Sequence, residues 1–123
     1  MKNGLLEINE LEGVWGSVLC SSIGKSIESV PPPGFHSQTL ENISKHAIEL
    51  LATTDQSVTG LREAVIHYSE RTIFVLDLEQ AVLVVYCSPR VDISLLRMSI
   101  NVVTTRWLSD PKLQKQLKIY AVK

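Results

Sequence analysis

The chain has 123 residues, 45% of them hydrophobic, and a formal net charge of −1. That length sets a single domain as the expectation and suffices to bury a core without disulfide or metal staples. The mixed charge gives no basic footprint for nucleic acid and no polybasic run for an anionic membrane surface, and no apolar run approaches the ~18 residues needed to span a bilayer.

Leu5, Leu6, Ile8 and Leu11 predict a short amphipathic helix that stops at Gly13. The opening residues lack the continuous apolar core of a signal peptide. Cys20 and Cys87 each sit in an apolar run and read as buried free thiols. Both observations lead to the expectation of a cytoplasmic protein.

A strand is predicted over 13–20, followed by Gly24-Lys25-Ser26, which ends as a phosphate-binding loop ends. That motif needs a first glycine five positions before Gly24, and Leu19 stands there. It also needs a helix after the serine, which Pro31, Pro32 and Pro33 leave no room for. The segment reads instead as a hairpin, with a turn near 21–24, positive φ supplied by Gly24, and a second strand over 25–30.

After the stiff loop Pro31-Pro32-Pro33-Gly34, a helix is predicted over 40–54, with Ser37 or Thr39 as its cap. Leu40, Ile43, Ala47, Leu50 and Leu51 form its apolar stripe, and Asn42, Lys45, His46, Glu49 and Thr53 its polar face. Three strands follow. Residues 61–69 carry Arg62, Glu63 and His67 and read as half exposed. Residues 72–78 and 81–87 are nearly unbroken apolar runs, expected of strands covered on both faces. Asp92 can cap a helix over 93–108, broken at Asp110-Pro111. Leu113, Leu117 and Tyr120 suggest a further helical piece.

The expected architecture is α+β: five antiparallel strands with helices on both faces, in the order α-β-β-α-β-β-β-α plus a short C-terminal helical tail. The expected domain covers residues 1–110 and the extension 111–123. The first and last long helices share one face, and the middle helix covers the other.

The last long helix carries two apolar stripes. Ile93, Leu96, Ile100, Val103 and Trp107 form one; Leu95, Met98 and Val102 form another, nearly opposite. A helix apolar on both sides is covered on both sides. Either the first helix or the tail residues Leu113, Leu117 and Tyr120 cover the second stripe, or Leu95, Met98 and Val102 are a surface for a partner protein.

The run Leu5-x-x-Ile8-x-x-Leu11-x-Gly13-Val14-x-Gly16-Ser17-x-Leu19, followed by Gly24, resembles the roadblock/dynein-light-chain family over residues 5–108. Cys20-Ser21-Ser22-Ile23-Gly24 departs from an Asp-x-x-Gly-type turn common in that family, and the resemblance does not explain the tail from Pro111. It implies a non-enzymatic protein that forms a homodimer, or a heterodimer with a paralogous roadblock protein. It further implies a Ras-like small GTPase as partner, or a role as a light subunit of a motor complex. The family's dimer joins the edge strands after the middle helix into one sheet, with the two middle helices side by side. Carried onto this chain, that edge is 61–69, with Leu61, Glu63, Val65 and His67 as contacts, and the helix is 40–54. Ile48, off the main stripe beside Glu41 and Ser44, reads either as a helix–helix contact across the dimer, with Ser44, or as a lone surface hydrophobe. Residues 61–69 are the least apolar of the last three strands, as an edge would be, and pairing with a second copy would remove an exposed edge.

Candidate chemistry is sparse. Cys87 precedes a loop, but no spacing brings His36, His46 or His67 to it as a base. No ligand spacing predicts a metal, and no cofactor is expected. Asp77 and Glu79 read as one exposed turn, and Arg71 and Arg90 as cations that could meet an acidic partner. The leading expectation is a dimeric interaction module that binds or regulates a Ras-like small GTPase or serves as a scaffold subunit. The alternative is a small-molecule-sensing domain with a pocket between sheet and helix.

Overall fold

The computed structural model describes residues 2–21, 25–32, 34, 37–51, 63–78 and 81–121. Gly24, Leu61, Arg62 and Glu79 lie outside them, as do the side chains of Leu40 and Tyr120.

The described residues form α1 (Lys2–Asn9), β1 (Val14–Cys20), β2 (Ser26–Val30), α2 (Ser37–Leu51), β3 (Glu63–His67), β4 (Thr72–Asp77), β5 (Val82–Cys87), α3 (Ile93–Ser109) and α4 (Pro111–Ala121). The five strands make one sheet in the order β2-β1-β5-β4-β3, and every neighbouring pair is antiparallel. The chain leaves the sheet at one edge, β2, and re-enters at the other, β3, with α2 between the two in sequence. The expected order of elements is the observed one.

Alternation along the strands divides the core into two layers. Leu19, Phe74, Leu76, Leu83 and Val85 point to the face covered by α1, α3 and α4, where they meet Leu5, Ile8, Leu96, Ile100, Trp107 and Leu117. Val18, Cys20, Ile73, Val75, Val82, Val84 and Tyr86 point to the other face, under Ala47 and Leu51 of α2. The two central strands are therefore buried on both sides, and β5 is buried at every residue. That is why their sequences lack polar alternation.

The Gly13-Val14-x-Gly16-Ser17 run has a local cause at each small residue. Gly13 turns the chain from α1 into β1 at φ +91°. A Cβ on Gly16 would lie 2.5 Å from the ring of Pro32, so only glycine lets the proline segment cross β1. Buried Ser17 donates a hydrogen bond from Oγ to Asn9 Oδ1 (2.8 Å), and Asn9 Nδ2 donates to the Val30 carbonyl (3.2 Å). This relay fastens α1 to the end of β2.

Asp92 caps α3 as expected, accepting the Leu95 N–H at 3.1 Å. Asp110 is extended (φ −93°, ψ 112°), which ends α3 before Pro111 opens α4. α4 then packs Leu113 and Leu117 onto the same core as Trp107.

Candidate interaction surfaces

β3 borders the sheet, and among the described residues only β4 pairs with it. The Tyr68 N–H donates to the Arg71 carbonyl (2.8 Å), closing the β3–β4 hairpin with a hydrogen-bonded pair. Alternation along an antiparallel ladder then makes Ile66/Ile73 and Ala64/Val75 the next bonded pairs. The backbone N–H and C=O groups of Glu63, Val65 and His67 consequently point outward from the sheet. These three edge positions are the ones that sequence reasoning singled out, and the structure aligns them on one exposed backbone rim.

Their side chains face the α3 side. Arg97 of α3 donates from Nε to Glu63 Oε1 (2.9 Å), and its Nη2 lies 2.6 Å from the same oxygen. The Arg97 guanidinium also lies over the Phe74 ring, 5.9 Å from its centroid. Val65 packs on the α3-side core. His67 is exposed, with Nδ1 3.5 Å from Thr72 Oγ1. The edge strand is thus pinned to α3, while among the described residues nothing pairs with its outer rim.

The structure corrects the expected face of α2. Ser44, Ala47 and Leu51 are buried, Ile43 and Ile48 are half-buried flanks, and Leu50 is 37% exposed. The buried stripe is rotated away from Leu50 because small Ser44 and Ala47 let the helix settle onto the sheet. The Ser44 hydroxyl lies by the Cys20 thiol and the Tyr86 hydroxyl, on β1 and β5. Ile48, one turn later, follows it on that side. Ser44 therefore has no surface to offer a partner, and Ile48 is a half-buried residue packed on the α2-side core. On the β3 side, Asn42, Ile43, His46 and Ala47 line a cleft of about 240 Å³ with Ile66, Tyr68, Arg71 and Ile73. Leu50 falls on that same flank of the helix. Hydrophobicity alone put Leu50 on the buried stripe with Ile43; Ile43 does pack against the core, while Leu50 is exposed.

A second surface is on α3. Leu95, Met98 and Val102 are 46%, 65% and 60% exposed. Neither α1 nor α4 covers this stripe. α4 spends Leu113 and Leu117 on the core around Trp107 instead, and α1 crosses at Gly4, where a Cβ would lie within 2.6–2.9 Å of Trp107 and Val103. The Arg106 guanidinium, paired with the Glu7 carboxylate, fixes that crossing.

The thiols are not poised for reaction. Both are buried, and burial pushes Cys20 and Cys87 up to about 12, leaving them protonated. Among the described residues no three His, Cys, Asp or Glu side chains gather to hold a metal ion. No described helix is long and apolar enough to cross a membrane.

No protein-family model and no curated protein matches the chain by sequence. Solved structures do match its fold. A Roadblock/LC7 domain from Streptomyces avermitilis superposes with a TM-score of 0.70 at 14% identity, over 86% of this chain and 92% of that one. MglB from Myxococcus xanthus gives 0.67 at 12% identity, over 85% and 88%. An MglB with a tetrameric arrangement gives 0.60 at 15% identity, over 97% and 85%.

Proposed function

We propose, proceeding from the roadblock/LC7 fold that this chain has, that it is a non-enzymatic interaction module that works as a dimer. The observation that carries this reading is the open rim of β3. Its outward N–H and C=O groups at Glu63, Val65 and His67 are unmatched within the described fold, and a second copy supplies their complement. A two-fold axis at Val65 pairs all five residues of β3 and sets Glu63 opposite His67 of the second copy. It brings together the α2 flanks that carry Ile43 and Leu50. An MglB of the same fold has a tetrameric arrangement, which supports self-association of this fold.

The dimer's partner in this proposal is a Ras-like small GTPase or a larger scaffold, the class that the roadblock resemblance implies. The module would act by differential affinity, holding the partner in one conformational state. The exposed stripe Leu95, Met98 and Val102 gives it an apolar surface distinct from the β3 rim.

Size-exclusion chromatography with light scattering tests the first step, and capture of GTP-loaded small GTPases from the same genome tests the second. A dimer that retains a GTPase, and loses it when Leu95, Met98 and Val102 are changed to serine, is the expected result. A strict monomer that retains none overturns the reading.

A further inference from the structure

We propose that the cleft between α2 and the β3–β4 hairpin binds a small monocarboxylate, with Arg71 as its counter-ion. Arg71 follows the hairpin turn, on the helix-covered side of the sheet. Its Nε is buried, and no acceptor among the described residues reaches it. A buried donor without a partner is costly, and more so when it belongs to a charged group. The guanidinium lies over the Tyr68 ring, 5.1 Å from its centroid, so its plane is held in place. Its charge also reaches inward: burial holds the Tyr86 hydroxyl above its usual range, and Arg71 offsets only a small part of that rise.

The remaining lining sets the class of ligand. Ile43, Ala47, Ile66 and Ile73 make apolar walls, and among the described residues no carboxylate lines the cleft. His46 stands on the α2 side as a further polar group. One planar cation between aliphatic walls matches a carboxylate on a short apolar stem. A phosphate would need a nest of backbone N–H groups or several cations, and finds neither here. The volume, about 240 Å³, is below the ~300 Å³ at which drug-sized pockets begin, so the ligand is a small acid.

The test is a titration of the ¹⁵N-labelled full chain with isobutyrate and benzoate, against isobutyramide and benzamide as uncharged isosteres and inorganic phosphate as a second anion. The expected result is saturable shifts of the amide signals of Tyr68, Arg71 and His46 by the two acids, with a dissociation constant on the order of 1 mM, as small-ligand efficiency allows. The amides and phosphate should leave these signals unmoved. Arg71→Met should weaken acid binding at least ~10-fold, the loss of one charge-assisted contact. Arg71→Lys should retain part of it, and Arg106→Gln, on the opposite layer, all of it. Equal binding of acid and amide overturns the proposal, as does an Arg71→Met chain that folds and binds unchanged. So does binding of a blocked glutamate-containing tripeptide without binding of the free acids, since the occupant is then a partner's side chain. The cleft shares Ile43 and the β3 edge with the proposed dimer seam, so the titration is repeated on Val65→Pro, whose side chain lies on the opposite layer. Acid binding by that variant is expected even if the wild-type dimer closes the cleft, and its loss there overturns the proposal.

Discussion

The two edges of the sheet are built in opposite ways. β2 is an edge with its pairing broken: its register with β1 shifts between Leu19 and Cys20. It ends at Pro31 and Pro32, its last carbonyl is taken by Asn9, and Pro32 is wedged against Gly16. These are the devices by which sheets discourage further strands. β3 has none of them among the described residues. Its register with β4 runs unbroken from Glu63 to His67. Its one acid facing α3, Glu63, is occupied by Arg97 rather than turned outward. The difference teaches that one edge is closed by its own chain, while among the described residues the other keeps a regular, unpaired rim, the feature on which the proposed dimer rests.

The largest expected effect comes from breaking the open edge. Val65→Pro removes an outward N–H without touching the ladder to β4, so the fold should survive while the dimer weakens by ~100-fold or more. Light scattering over a dilution series measures it, with Ser26→Lys on exposed β2 as the variant that should change nothing.

Gly16→Ala attacks the closed edge instead. The new methyl meets Pro32 at 2.5 Å, and a loss of about 2–3 kcal/mol in denaturant unfolding is expected, the usual scale of overpacking. Ser17→Ala cuts the relay through Asn9 to the end of β2 and should cost about 1–2 kcal/mol, since Asn9 Oδ1 loses its donor.

Between the edges, the thiols of the two inner strands β1 and β5 set an alkaline limit. Their folded values, raised from 9.0 to about 12, mean that the unfolded chain releases protons that the fold retains. Stability should be constant with respect to these groups below pH 9 and fall between 9 and 12. Urea midpoints measured across that range check it, and a thiol reagent at pH 8 should label neither cysteine until the chain unfolds. The smallest effect is at the pin of β3. Arg97→Ala should cost about 0.5–1 kcal/mol, because the pair with Glu63 is partly solvated.

Much of this was legible in the sequence. The unbroken runs at 72–78 and 81–87 marked doubly covered strands, because a strand facing helices on both sides has no place for a polar residue. Asp92 and Asp110-Pro111 marked the ends of α3 by local backbone chemistry alone. The roadblock resemblance placed β3 at an edge with Glu63, Val65 and His67 as contacts, and its charged residues were compatible with that place. The expected sides of Ser44 and Leu50 are exchanged in the structure for a shared reason. A hydrophobic stripe fixes which residues can be buried but not how far the helix rolls on the sheet.

By itself, the sequence determined the order of elements, the layering of the core and the stop of α1 at Gly13, since these depend on periodicity and backbone sterics within short segments. Only the tertiary structure decided three other matters: the roll of α2, the exposure of Leu95, Met98 and Val102, and the meeting of Arg71 with α2. Each depends on how surfaces from distant segments fit together. Packing volume sets that fit, and no single segment encodes it.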